Sequence, residues 1–178
     1  MNSVPLQKSG AAYMRVGMSA IRGVEMPVSW FLVDTGATRT TIPKSTLVER
    51  LGYEDSWIIR NRVILPEEEK PKMANNKRAD VYEIPAMRMS IGGTELLSDR
   101  NLLTSDTIEL NFLLGMGILS YFKFLFDFDK VDEDAPYGRM FYEFRESRRK
   151  HFTELGKPFA YRLEQGTRMV ETTNLSQS

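Results

Sequence analysis

Short apolar segments recur along this chain with turn-forming residues between them, roughly every eight to twelve positions, a rhythm that suits strands better than long helices. From Ala11 to Ser19 polarity alternates loosely around Tyr13, Val16 and Met18. After a break at Arg22-Gly23, a second run from Pro27 to Val33 carries Val28, Trp30, Phe31, Leu32 and Val33. These two segments read as the strands of a hairpin. Trp57 to Leu65 is rich in β-branched residues, Val81 to Ile91 is mostly extended, and Gly92-Gly93 marks a tight turn into Thr94-Glu95-Leu96-Leu97. Asn75-Asn76 suits a hairpin tip, because asparagine tolerates positive φ. The one early helix expected is a short piece after Pro43, where Leu47, Val48 and Leu51 share a face and Gly52 supplies a left-handed cap. The expected fold class is mainly β, with minor helix.

The most apolar stretch runs from Asn111 to Asp129. Its second half alternates, placing Phe122, Phe124, Phe126 and Phe128 on one face as a half-buried strand requires. Beyond Lys130 the character changes. Val131 to Pro136 reads as a linker, and Phe141, Phe144, Arg148, Phe152 and Leu155, spaced by three and four, predict a helix ending near Gly156 and Pro158. The polar residues Glu171 to Ser178 are expected to fray. The expected division is a domain over residues 1–130 and a C-terminal extension over residues 131–178.

Composition narrows the chemistry. At 178 residues with 42% apolar content, the chain can bury one real core. Its 24 basic residues balance 24 acidic ones, so no global field favours nucleic acid or an anionic membrane. The basic trio Arg148-Arg149-Lys150 and the acidic trio Glu67-Glu68-Glu69 read as solvated faces. With no cysteine, disulfides, thiolate metal sites and a cysteine nucleophile are excluded, and a single histidine, His151, leaves little room for imidazole chemistry. No apolar leader or membrane-length run is present, and no glycine-rich phosphate loop or metal-ligand cluster. The expectation is a soluble, cytoplasmic protein with no metal and no cofactor, whose chemistry runs on carboxylates, hydroxyls or amines.

One segment carries that chemistry: Phe31-Leu32-Val33-Asp34-Thr35-Gly36-Ala37-Thr38, in which an apolar strand delivers a carboxylate to a sharp turn. Alone, such a tripeptide is equally an Asx-type turn in which Asp34 accepts backbone N–H bonds. About 80 residues downstream stands Phe112-Leu113-Leu114-Gly115, followed by Met116-Gly117-Ile118-Leu119 and the aromatic strand. Together the two segments resemble the paired signatures of retropepsin-like aspartic proteases, and the resemblance extends roughly from Ala11 to Asp129. In that family the apolar-apolar-Gly strand passes through the loop of the first signature, and a short helix and a strand follow.

The resemblance implies a single-lobed retropepsin-like barrel. Lys72 to Tyr82 occupies the place of the family's flap, with Ala74, Asn75 and Asn76 at its tip, although the family's usual flap glycines are missing. Gly117 stands where relatives often carry Asp or Asn. The chain has one Asp-Thr-Gly, and Asp106-Thr107-Ile108 lacks the glycine, so a two-carboxylate mechanism implies a homodimer with Asp34 from each copy. The two carboxyls would share a proton, one activating a water while the other polarises the scissile carbonyl, with activity favouring mildly acidic pH. Thr35 would bond across the dimer axis and Gly36 would admit the substrate backbone. Ala37, Thr38, Leu114, Gly115 and Met116 would complete the cleft for an extended peptide or protein substrate. The extension, with Phe141, Phe144, Phe152 and Phe159 to bury, is expected to add to the dimer. The alternative is a catalytically weak peptide-binding or assembly module on the same fold.

Overall fold

The expected N-terminal hairpin is present in the computed structural model, which describes residues 1–19, 26–85, 87–98 and 102–148. Strands β2 (Tyr13–Ser19) and β3 (Val28–Val33) pair antiparallel, with Met14 opposite Phe31 and Val16 opposite Ser29. Alternation decides the faces: Met14, Val16, Met18 and Phe31 are fully buried, whereas Tyr13, Arg15, Val28 and Trp30 point outward. On its other side β2 pairs with β7 (Arg88–Ile91), which turns through Gly92 and Gly93 into β8 (Thr94–Leu97). Both glycines have positive φ, +56° and +81°, the conformation that a two-residue hairpin loop demands.

Five further short strands extend this sheet: β4 (Thr40–Thr41), β5 (Val63–Ile64), β6 (Tyr82–Glu83), β9 (Leu102–Thr104) and β10 (Leu113–Leu114). The order across the sheet is β5-β6-β9-β4-β10-β3-β2-β7-β8, with β10 parallel to β3 and β4 parallel to β9. A second sheet has the order β1-β12-β11, from β1 (Asn2–Pro5), β11 (Phe122–Asp127) and β12 (Arg139–Phe144). One core joins the sheets, with Met14, Phe31, Ile42, Leu47, Leu102, Leu114, Ile118, Phe122 and Met140 in a continuous cluster. Each such side chain contributes roughly 1.5–3 kcal/mol by leaving water. The described chain is mainly β with a few short helices, as the retropepsin-like reading expects.

Three local expectations change. Trp57 to Leu65 is not extended throughout, because residues Asp55–Asn61 form helix α1. Trp57 and Ile58 are buried there, Trp57 packs on Tyr53 with ring centroids 5.3 Å apart, and Asn61 donates to the Trp57 carbonyl at 2.8 Å. Burial of one face has overridden the β-branched preference. After Pro43 the chain does turn, but the Leu51 N–H reaches back to Thr46 O at 3.0 Å in a wide turn over Thr46–Arg50. With more residues per turn, Val48 swings off the buried face and is 37% exposed, while Leu47 and Leu51 stay inside. Gly52 has the expected positive φ, +74°.

The third change is at the C-terminal end. Phe141 and Phe144, expected on a helix, lie in β12, which pairs with β1 on one side and β11 on the other. Met140 and Tyr142 are buried on its inner face, so a period of two operates where spacings of three and four suggested helix. A 3-10 turn follows at Glu146–Arg148. The remainder of the expected helix, with Phe152, Leu155 and His151, lies outside the described residues, as do Phe159 and the tail. The expected linker folds on itself: Asp132 accepts N–H bonds from Asp134 and Ala135 and a fork from Arg139. The phenylalanine stripe that starts in β11 emerges from the core, with Phe122 2% exposed, Phe126 42% and Phe128, just past the strand, 65%.

A charged knot ties α1 and the wide turn to the loop after β9. Asp106 accepts from Lys44 at 2.5 Å, Arg62 at 2.7 Å and the Tyr82 hydroxyl at 2.8 Å, while Lys44 also pairs with Asp55. Partial burial alone would push the Asp106 carboxyl up, but the Lys44 and Tyr82 hydrogen bonds and the Lys44 and Arg62 charges outweigh it and hold it below the usual carboxylate range. A carboxyl depressed by folding contributes stability that is complete above its unfolded value, about 3.9, and lost as pH falls through the folded one. Thermal melts should show the wild type above Asp106→Asn at pH 7, with the gap closing in acid below about pH 4. An unchanged gap at low pH would show that the knot is not electrostatic.

Candidate active site

Asp34 sits where β3 ends, half-buried, and its backbone is fastened from both sides. The Val33 N–H donates to Ala12 O at 2.9 Å, and the Asp34 N–H donates to Leu114 O at 3.0 Å. The chain then turns: the Gly36 N–H donates to Asp34 Oδ1 at 2.8 Å and the Ala37 N–H to Asp34 O at 3.3 Å. The Asx-type bond is therefore present, and it fixes one carboxylate oxygen within a loop whose Thr35 and Gly36 are exposed.

The two sequence signatures meet at this loop. β10 runs parallel to β3, with Leu113 opposite Leu32 and Leu114 opposite Val33, and its other edge pairs Leu113 with Thr41 of β4. Past β10 the chain stays bonded to the loop: the Met116 N–H donates to Ala37 O at 2.7 Å and the Gly117 N–H to Thr38 O at 2.9 Å. The buried Thr40 hydroxyl accepts the Gly115 N–H at 3.1 Å. Gly115 permits the crossing, since a Cβ there would lie 2.3 Å from the Arg39 carbonyl oxygen. Met116–Leu119 then form the short helix α2, which buries Ile118 and Leu119.

A groove of about 890 Å³ opens beside Asp34. Gly36, Ala37, Thr38 and Leu113 line it on the loop side, and Glu68, Glu69, Pro71 and Lys72 on the other. The segment past Lys72 makes the expected hairpin, with a Lys72–Arg78 bridge, a Met73 N–H bond to Lys77 O at 2.8 Å, and Asn76 at φ +62°. Its tip, Ala74-Asn75-Asn76, does not line the groove. Leu114 and Gly115 are buried beneath the loop, and Met116 is 40% exposed, so of the β10 signature Leu113 is the residue that faces the groove.

Arg39 and Thr41, not anticipated from the sequence, line the groove too. Arg39 pairs with Glu83 at 2.7 Å and Glu69 at 3.2 Å, and the Thr41 hydroxyl donates to Asn111 O at 2.7 Å. Both lie within three residues of Thr38, where the candidate segment ends, but their partners are distant in sequence. Among the described residues no group of three or more His, Asp or Glu is placed to hold a metal. No helix among them is long and apolar enough to cross a membrane.

No protein-family model matches the chain, and no curated protein does. Among solved structures it is similar to the crystal structure of a retropepsin-like aspartic protease from Rickettsia conorii, at 18% identity and a TM-score of 0.46, with 78% of this chain and 86% of that chain covered.

Proposed function

We propose that the chain is a retropepsin-like aspartic endopeptidase that works as a homodimer, with one Asp34 from each copy. The observation that carries this reading is the interlock of the two signatures. The Asp34 N–H is bonded to Leu114 O and the Met116 N–H to Ala37 O, so the carboxylate is held by bonded backbone at the edge of a groove of about 890 Å³. Exposure of Thr35 and Gly36 supports a loop that meets its own copy across a two-fold axis.

In such a dimer two adjacent carboxyls share one proton, because two negative charges so close cannot both persist cheaply. One carboxylate takes a proton from water as it attacks the peptide carbonyl, and the protonated partner donates a hydrogen bond to that carbonyl oxygen. The amine then leaves with a proton returned from the pair.

A peptide-binding module without turnover is the second reading, favoured by the hairpin tip that lies off the groove. Mass-spectrometric profiling of a peptide library between pH 4 and 7.5, with wild type and Asp34→Asn, separates the two. Cuts made by the wild type alone, weakening as pH rises, are the expected result. Binding without cleavage at any pH would replace the first reading with the second.

A further inference from the structure

We propose that Arg39 is a positioning residue that clamps both approaches to the 72–78 hairpin to the Asp34 loop. Its root cannot shift easily, because the neighbouring carbonyls of Ala37 and Thr38 accept the Met116 and Gly117 N–H groups and its own backbone closes over Gly115. Its head grips two carboxylates that bracket the hairpin in sequence. Nη2 donates to Glu69 Oε2 at 3.2 Å before the hairpin, and Nη1 donates to Glu83 Oε2 at 2.7 Å after it. Glu83 is 9% exposed, so its pairing is screened little by water, whereas the Glu69 side chain is 51% exposed and makes the softer arm.

A guanidinium suits this task because it is planar and presents several fixed donors, while an ammonium is a point charge on a flexible stem. One residue therefore ties the groove's Glu68-to-Lys72 wall to the Asp34 loop. The arms differ in strength, so the approach through Glu69 can give while the Glu83 side holds. In a peptidase, that flexibility would govern admission of the substrate strand more than the chemical step. This last consequence rests on the endopeptidase reading; the clamp itself does not.

The test follows amide hydrogen exchange in the full chain. Reporter amides are Met73, bonded to Lys77 O, and Ala79, bonded to Pro71 O; controls are Val33 and Asp34. Arg39→Met risks stranding the buried Glu83 carboxylate, so it is paired as Arg39→Met/Glu83→Gln, beside the gentler Glu69→Gln and Arg39→Lys. The double variant should speed exchange at both reporters about tenfold with controls within about twofold, and Glu69→Gln should speed both by less, since Pro71 O, the acceptor for Ala79, lies two residues from Glu69. Arg39→Lys, keeping the charge on Glu83, should fall between.

Equal acceleration at reporters and controls would reduce Arg39 to a general stabiliser, and no acceleration in the double variant would remove the clamp; either overturns the proposal. On a cleaved peptide, Arg39→Lys should raise KM about three- to tenfold with kcat within about twofold, a split that loss of folded enzyme does not produce. If the wild type cuts no peptide, the endopeptidase reading fails and the exchange result still decides the clamp.

Discussion

Gly115→Ala is expected to lower stability by about 3 kcal/mol, because an added methyl meets backbone that cannot swing aside. For a chain of this size that is a melting point lower by roughly 6–12 °C. The ideal Cβ lies 2.3 Å from Arg39 O, 2.5 Å from its carbonyl carbon and 2.8 Å from its nitrogen. The φ and ψ of Gly115, −94° and 173°, are open to any residue, so the penalty is steric and not conformational. Relief requires β10 and the loop to part, which strains the bonds from Asp34 to Leu114 and from Met116 to Ala37. Gly36→Ala is the milder control, since its Cβ would approach only the Asp34 Oδ1 atom, at 3.2 Å. Thermal denaturation followed by circular dichroism measures both. A Gly115→Ala melt within about 2 °C of wild type would mean the two segments do not cross so closely.

Asp34→Asn is expected to cut kcat/KM by at least about 10²–10⁴-fold, the usual contribution of positioned acid–base groups. Asparagine keeps an oxygen that can accept the Gly36 N–H, so the turn survives and the melting point should stay within about 2 °C of wild type. What the proposed carboxyl pair loses is its shared proton. Mixing wild type with an excess of Asp34→Asn chains then tests the stoichiometry. If each site needs a carboxyl from both copies, activity falls as mixed dimers replace wild-type ones. If each chain acts alone, activity tracks the amount of wild type, and the dimeric mechanism is wrong.

The site was legible to the extent that backbone contacts left a residue signature. Asp34-Thr35-Gly36 and Leu113-Leu114-Gly115 are recognisable because the Asp34 carboxylate closes a turn onto the Gly36 N–H and the crossing over Arg39 admits no side chain at Gly115. The turns at Asn75-Asn76 and Gly92-Gly93 were legible for the same reason, since positive φ restricts residue choice. The ion pairs of Arg39 were not, because a surface arginine has many carboxylates within reach until the fold selects Glu69 and Glu83. Sequence spacing does not reveal helix α1 or strand β12, because packing decides both. Trp57 and Ile58 could bury from a strand as well as a helix, and Phe141 and Phe144 keep a helical spacing that pairing with β1 and β11 overrides.

The sheet β1-β12-β11 has a consequence for the order in which the molecule can be made. Asn2 faces Tyr142 and Pro5 faces Arg139, so β1 waits for β12, the last of the described strands. A ribosome delivering the chain at about 5–20 residues per second leaves β1 without its β12 partner for several seconds or more while the described strands β2 to β11 emerge. Such long-range pairings are slow to close even in a free chain. Truncation after Lys130 would therefore do more than remove an appendage: β1 and β11 would both face solvent along edges that β12 now joins. Such edges are templates for pairing with other chains, which makes aggregation of nascent or shortened molecules the characteristic hazard of this topology.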